Sequence, residues 1–445
     1  MRGPRFYLAL WISKAAAFVI DIIAKGRGTN LPGALALKID PQFIQHITGI
    51  DPAKTVFLTG TNGKSSTTQI LHHILTASGH RVISNLGGAN MTAGVAVPLL
   101  KSCSLTGKLR CDYVVMETDE RYVSRIRAQL PAKYLGIANI QKDQVQRNGE
   151  PSFIRDKIRN AICADMTVFL NQDEPNTLSL MDAGAARTVR YGVAPHNRSF
   201  TKDDDFFAVT VPCPHCHSGI AFRRYNLENV GAFRCPVCGF GNDAAPEYLT
   251  SGVSFDGKTF TLNGTDYAFH RNLPEFLYSY TQAVAIALEL GIPETDIVQA
   301  LADFRKDSGL DNTHRVGQKE VKFFRMKQEN SETLQSVMNS IAADPAPKTL
   351  VFGLDEYIDF YPPYINGCYL FDCSFRGLRD SGDVRCICTS PALGKLGILR
   401  FLYDGFTPDT LTTPPDSTEG TLSEALKDDQ TNNIYLIEEI PFWKQ

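Results

Sequence analysis

Seven consecutive residues, Gly60-Thr61-Asn62-Gly63-Lys64-Ser65-Ser66, combine the residue types that hold a polyphosphate. Glycines let a tight turn aim its backbone N–H groups at phosphate oxygens. Lys64 supplies a charge within reach of the β- and γ-phosphates, and the Ser65 hydroxyl can meet a magnesium ion. The spacing departs from the general phosphate-loop pattern, because Leu58 stands where an earlier glycine is usual. Magnesium wants further hard oxygen ligands. Glu117, at the end of the apolar run Tyr113 to Met116, is the preferred one, since the carboxyl edge of a parallel sheet would present it to the same crevice. Asp119 and Glu120, close behind, read as solvated loop charges. Asn139, ending another such run, and Asp143 and Arg147 beyond it are placed to line the crevice.

A second chemistry lies in Cys213-Pro-His-Cys216 and Cys235-Pro-Val-Cys238, two pairs separated by 18 residues. That spacing reads as a tetrahedral four-thiolate zinc site, and with every position filled by sulfur no place is left for a reactive water, so its role is structural. A redox-active pair is the alternative, although it explains two pairs together poorly. The other seven of the 11 cysteines are scattered singly, which suits a reducing cytosol better than a secreted disulfide framework.

These residues need elements to position them. Thr55 to Leu58 is a short apolar run stopped by Thr59-Gly60, and Ser65 to Ser78 then places Ile70, Leu71, Ile74 and Leu75 at helical spacing. The loop therefore joins a buried strand to a helix. Further β-rich runs at Arg81 to Ser84, Tyr113 to Met116, Tyr134 to Ile140 and Thr167 to Leu170 alternate with helical patterns, which predicts a parallel α/β sheet with crossover helices. Between 192 and 270 short β-like runs (Phe206 to Val211, Lys258 to Leu262) surround the paired cysteines, as an inserted small β element would. Leu277 to Leu290 and Thr295 to Phe304 read as helices. From about 317 a second α/β alternation follows: Val321 to Met326, Glu332 to Ile341, Thr349 to Phe352, Cys368 to Phe371 and Val384 to Ile387. The expected division is an N-terminal helix and entrance segment over 1–50, a central domain over 51–312 with the cysteine ribbon at about 205–245, and a C-terminal α/β domain over 313–445.

At 445 residues the chain has room for about three domains. Its 43% hydrophobic and 21% charged residues exclude wholesale disorder and a polytopic membrane protein. A net charge of −3 shows no basic excess that would advertise nucleic acid. The apolar stretch Phe6 to Ala24 is interrupted by Lys14 and Asp21 and is too broken to span a bilayer. It is read either as a helix packed on the first domain or as an amphipathic surface helix.

With the block Thr59 to Ser66 and the sheet-edge Glu117 in view, the sequence resembles the Mur ligase superfamily, and within it the MurT branch of synthetase subunits. The likeness extends over nearly the whole chain. It rests on Gly28-Thr29-Asn30-Leu31-Pro32-Gly33, Gly88-Ala89-Asn90-Met91, Asn139 with Asp143-Gln144 and Arg147 to Glu150, Asn171 with Asp173-Glu174-Pro175, and the inserted four-cysteine ribbon, its most discriminating part. The resemblance implies a Mur-type P-loop ATPase domain followed by a Rossmann-like C-terminal domain, using ATP, Mg²⁺ and Zn²⁺. The activity it implies is amidation of the D-glutamate α-carboxylate of the lipid II stem peptide, through an acyl phosphate, with ammonia from a GatD-like glutaminase partner. It further implies a cytoplasmic protein, peripheral at the inner face of the membrane. Carried over residue by residue, Gly60 to Ser66 and Asn139 hold nucleotide, Lys64 and Glu117 act in catalysis, Ser65 and Glu117 take magnesium, and Asp359 serves the partner's active site, with Asp355 as fallback.

The chain departs from that branch in two places. Leu277-Tyr278-Ser279-Tyr280-Thr281 lacks the asparagines of a Tyr-Asn-x-Tyr-Asn stretch, and the region Asp359 to Asp372 matches its family counterpart only at the ends. A lysine-asparagine-proline loop corresponds to Lys327-Gln328-Glu329-Asn330. Two rival readings follow: a Mur or folylpolyglutamate type ligase that adds an amino acid, which the ribbon argues against, and a zinc-ribbon scaffold whose nucleotide site has decayed.

Overall fold

The computed structural model describes residues 2–23, 30–87, 89–202, 211–270, 273–304, 312–326, 329–353, 367–388, 391–412, 425–427 and 431–439. Two compact units emerge. The first comprises Met1–Gln141, Glu150–Thr201 and Thr210–Arg305; the second comprises Lys142–Gly149, Lys202–Val209 and Lys306–Gln445.

The first unit is organised by a sheet whose strands run in chain order β1 (Thr55–Thr59), β2 (Val82–Ser84), β3 (Tyr113–Glu117), β4 (Tyr134–Ile137), β5 (Thr167–Asn171) and β6 (Arg187–Val193). A two-stranded ribbon of β7 (Ala221–Leu227) and β8 (Val230–Arg234) interrupts it before β9 (Tyr248–Ser254), β10 (Thr259–Leu262) and β11 (Thr265–Ala268) rejoin. Spatial order is β11-β10-β9-β6-β5-β4-β1-β3-β2, parallel from β9 to β2, with the last two strands antiparallel at one edge. Every residue of β1, β3 and β5 is buried, as expected for strands covered on both faces by crossover helices. The alternation expected from the sequence is therefore present, and β1 is central, between β3 and β4.

The apolar N-terminal stretch forms the helix Pro4–Ile23. It buries Phe6, Ala9, Leu10, Ser13 and Ala17 in the core that helices Leu31–Ile39 and Thr92–Ser102 share with the sheet. Phe6 stacks on Phe43 with ring centroids 5.5 Å apart.

The second unit carries its own sheet of β12 (Asn312–Val316), β13 (Lys319–Met326), β14 (Lys348–Gly353), β15 (Val384–Cys388), β16 (Leu411–Thr412) and β17 (Asn433–Glu439). The order β12-β13-β17-β14-β15-β16 is parallel except for β12. The apolar run Cys368 to Phe371 departs from the sheet and forms a 3-10 turn, Cys368–Asp372. A fully buried Arg400 explains this: its guanidinium donates to the carbonyls of Leu370 (3.0 Å) and Cys373 and pairs with the equally buried Asp404 at 3.0 Å. A turn can point its carbonyls at one side chain, whereas a paired strand cannot.

Asp344 closes this sheet by accepting from Asn433 Nδ2 and Tyr435 Oη, each at 2.7 Å, and from the N–H of Ala346. Partial burial opposes ionisation, but the Tyr435 hydroxyl and these other donors hold the carboxyl down at about 2. A carboxylate with a depressed native pKa stabilises the fold above its unfolded value and loses that contribution as pH falls through the native one. Asp344→Asn should therefore cost on the order of 2 kcal/mol at neutral pH, with roughly half of the difference from wild type gone by about pH 3. Urea unfolding followed at several pH values checks this; a gap that does not narrow in acid contradicts it.

Candidate phosphate-binding site and cysteine ribbon

The loop Gly60 to Ser66 leaves the carboxyl end of β1 and enters the helix Lys64–Ala77, whose first-turn N–H groups have no intrahelical acceptor. Gly60 and Gly63 sit at φ +125° and +84°, where a side chain is strained, and a Cβ on Gly60 would lie 2.7 Å from the carbonyl oxygen of Asn139. The close approach has a purpose. Thr61 N donates to Asn139 O (2.9 Å), while the Asn139 side chain accepts from Asn62 N (2.8 Å) and donates to Asn62 O (3.1 Å). Gln141 adds its N–H to Thr61 Oγ1 (3.0 Å) and its Oε1 to Asn62 Nδ2 (3.0 Å). The chain leaving β4 thus fixes the loop's shape before any ligand arrives.

Three acidic residues, Glu117, Asp119 and Glu120, stand at or just beyond the end of β3. Glu117 accepts from Ser65 Oγ at 2.7 Å and from Asn90 Nδ2 at 3.0 Å, so the serine and the carboxylate expected to share magnesium are adjacent. Asn85 holds the Glu117 backbone at both its N–H and its carbonyl, each at 2.8 Å. Glu120 is not the solvated charge that its sequence context suggests. It is 4% exposed and pairs at 2.9 Å with Lys64, itself 8% exposed and also bonded to the Gly60 carbonyl. Asp119 is buried too; burial opposes its charge, yet the Arg121 guanidinium at 2.9 Å holds its carboxyl below the usual range. Three acids within four residues look hydrophilic, and only the placement of Lys64 shows why Glu120 turns inward: a buried ammonium needs an anion. Asn85 and Gln141 carried no sequence signal beyond standing next to strand ends.

Behind the loop lies a second tier. Glu174 caps the helix Pro175–Leu178, accepting from Asn176 N and Thr177 N (both 2.9 Å), and also accepts from Ile140 N (3.1 Å), the residue between Asn139 and Gln141. Burial raises its carboxyl to about 7 against the pull of these donors. Asp173, raised by burial to about 6, receives Val193 N (2.8 Å), Tyr278 Oη (2.9 Å) and Asn242 Nδ2 (3.1 Å), and its own carbonyl receives Gly231 N (2.8 Å). One residue therefore ties together the sheet, the helix Glu275–Glu289 and the ribbon. Where the family pattern wants asparagines, Tyr278 makes this contact and Thr281 bonds Thr250 at 2.6 Å, so both side chains serve internal packing. A cavity of about 440 Å³ opens at the junction, lined by Gln172, Asp173, Arg223, Asn226 and Asn242 among others.

In the ribbon the four sulfurs of Cys213, Cys216, Cys235 and Cys238 lie within 4.8 Å of one another, with Cys213–Cys238 at 3.6 Å and Cys216–Cys235 at 3.5 Å. Thiolates at ~2.3 Å around a tetrahedral ion stand ~3.8 Å apart, so the cluster can hold one metal. The N–H of Cys238 and the Ser218 hydroxyl pull the Cys235 thiol down to about 5, which favours the ligating form. Intervening His215, exposed, lays its ring on the half-buried Phe240 at 4.3 Å.

Asp143 lies in the second unit, where its carboxylate accepts from Asn330 Nδ2 and Asn148 Nδ2, both 3.3 Å, and Lys142 pairs with Asp372 at 3.3 Å. Asn330 also caps the helix Ser331–Ala342. Arg147 lies on the short helix Val145–Asn148. Asp355, Asp359, Lys327, Gln328, Gly28, Thr29, Gly88 and most of the run Phe206 to Val211 lie outside the described residues.

Residues 58–211 match the family model of the Mur ligase middle domain. The subunit MurT of a glutamine-hydrolysing lipid II isoglutaminyl synthase from Streptococcus pneumoniae is 28% identical over 380 residues, 84% of this chain and 81% of that one. Its Staphylococcus aureus counterpart is 25% identical over 81% of this chain and 77% of its own. In fold, the chain is similar to a pseudomurein peptide ligase type C from Methanothermus fervidus (TM-score 0.68, 19% identity, 95% of this chain and 84% of that one). It is also similar to MurF from Acinetobacter baumannii (TM-score 0.60, 15% identity, 91% and 77%). A phosphate loop clamped from β4, a sheet-edge glutamate facing its serine and an inserted four-cysteine ribbon agree with these likenesses: the chain is similar over most of its length to the MurT subunits, at 25–28% identity, and carries a match to the Mur ligase middle domain at residues 58–211.

Proposed function

We propose that this chain is the synthetase subunit of an ATP-dependent amide ligase that converts the D-glutamate α-carboxylate of the lipid II stem peptide to D-isoglutamine, with ammonia drawn from a GatD-like glutaminase. The observation that carries the reading is the Lys64–Ser65–Glu117–Glu120 constellation on a preshaped loop, in a chain whose curated relatives are named as subunits of that synthase.

A carboxylate is a poor electrophile. One of its oxygens would attack the γ-phosphorus of ATP, ADP would leave, and the resulting acyl phosphate would lose phosphate when the nitrogen of ammonia attacks the carbonyl carbon and sheds a proton. The loop N–H groups and the start of the helix Lys64–Ala77 would hold the phosphates, and Lys64 would turn from Glu120 to the oxygens on which charge gathers. Ser65 and Glu117 offer the hard oxygen donors that magnesium takes, and that ion would supply charge neutralisation at the phosphates. Glu120, released from Lys64, stays close enough to recapture it once the products leave. The four cysteines would hold a structural zinc, and the Asp173 bonds would pass the ribbon's order to the sheet. The alternative of an amino-acid ligase is less well supported, because a relative named as a D-glutamate ligase matches only 47% of this chain, against 84% and 81% for the MurT subunits.

Lys64→Ala should lower ATP-dependent amidation at least ~1000-fold. Because it also leaves Glu120 buried without a cation, it should cost ~3 kcal/mol of stability, most of it regained in Lys64→Ala/Glu120→Ala. Turnover near wild type in the single variant would remove the ATPase assignment; an unchanged melting curve would remove the ion-pair argument. Elemental analysis of freshly reduced protein should find about one zinc per chain, and Cys235→Ser should release it and loosen the ribbon before the phosphate loop is affected. Protein free of transition metal counts against this. For the partner, Asp359→Asn should cut glutamine-driven amidation at least ~100-fold, since a glutaminase histidine needs a carboxylate to orient it, while ammonium-driven amidation persists. If Asp355→Asn has that effect instead, Asp355 is the donated carboxylate; if neither does, none is donated from this segment.

A further inference from the structure

The helix Pro4–Ile23 is apolar on both sides. One side is buried; the other presents Leu8, Trp11, Ile12, Phe18, Val19 and Ile22 to solvent, each 42% to 68% exposed. Their spacing of 3, 1, 6, 1 and 3 residues, with Ala15 in the gap, gathers them on one continuous stripe running most of the helix. An apolar stripe this long on a soluble surface marks a contact with something else.

We propose that this stripe docks the protein flat on an anionic lipid bilayer. Three observations favour that occupant over a second protein helix. First, the charge is complementary: the first thirty residues hold Arg2, Arg5, Lys14, Lys25 and Arg27 against the single acid Asp21, in a chain whose net charge is −3. Second, the flanking charges that would pair with another helix are already used within this chain. Lys14 donates to the Lys101 carbonyl (3.3 Å), and Asp21 is held by Lys101 at 2.7 Å. Third, Trp11 anchors its indole N–H on the Leu105 carbonyl at 3.0 Å while its ring stays half exposed, beside the 69% exposed Leu105. That amphipathic posture suits the headgroup boundary.

At 20 residues the helix is long enough to cross a bilayer, but doing so would strip Phe6, Ala9, Leu10, Ser13 and Ala17 from the core and break the Asp21–Lys101 pair. It lies on the membrane. The benefit of docking rests on the lipid-linked substrate proposed above; the docking itself does not, so vesicles without substrate test it independently of the ligase reading.

The full chain is sedimented with vesicles of phosphatidylcholine alone and of phosphatidylcholine mixed with phosphatidylglycerol. Binding should be at least ~10-fold tighter to the mixture and weaken with added salt. Phe18→Glu/Ile22→Glu, which alters only exposed positions, should abolish it with the melting temperature and ATP binding unchanged. Should that variant fold poorly, Trp443→Phe leaves Trp11 as the sole tryptophan, and its emission should shift to the blue on the mixed vesicles. Wild-type protein that ignores both vesicle types, or a Trp11 emission that does not move, overturns the proposal. So does a wild-type dimer that the double variant turns into monomer without any vesicle binding, which assigns the stripe to a second copy. Bound protein that resists extraction by alkaline carbonate overturns it as well, since the helix would then span.

Discussion

The reciprocal pair of hydrogen bonds between the Asn139 side chain and the Asn62 backbone is what the rest of the site depends on. A loop built from glycines gains the freedom to approach a phosphate at the cost of having no preferred shape. Here the shape is imposed from the neighbouring strand: β4 delivers Asn139 and Gln141 beside β1, and Glu174 fixes Ile140 between them. Preorganisation of this kind lets binding energy go to the ligand and not to ordering the receptor. The depth of the arrangement matters, because Glu174 stands next to Asp173, and Asp173 fastens the ribbon and the helix Glu275–Glu289.

The Lys64–Glu120 pair gives the loop a second property. A buried ammonium facing vacant space would be expensive, and Glu120 removes that expense by neutralising it. On the function proposed above, a phosphate reaching Lys64 would have to displace a carboxylate, so the loop would exchange one anion for another, at a cost in affinity.

The strand, loop and helix around Gly60 to Ser66, the parallel sheet and the four-cysteine cluster were legible because each leaves a local mark: a run of β-branched residues, a glycine pair, a repeated C-x-x-C. Glu117 was legible for the same reason, ending an apolar run. Glu120 was not, because its burial is dictated by a lysine 56 positions away. Nor was the turn at Cys368–Asp372, where the apolar pattern fits strand and turn alike and Arg400, 28 to 32 positions later in sequence, decides. The helix Pro4–Ile23 was legible as a helix, but which of its two apolar sides faces inward depends on Phe43 and its neighbours.

The central position of β1 also governs when this protein can begin to work. Its partners β3 and β4 are encoded well downstream, Thr59 Oγ1 bonds the carbonyl of Thr118, and Asn62 reaches Asn139 across 77 residues. The supports that Asn139, Gln141 and Thr118 give to β1 and its loop are all non-local. A growing chain that has already displayed Gly60 to Ser66 must wait for β4, and then for Glu174, before those glycines adopt a receptive geometry, so the closing of the sheet around β1 is a slow, nonlocal event. On the function proposed above, ATP held by the finished loop would favour the completed sheet by mass action.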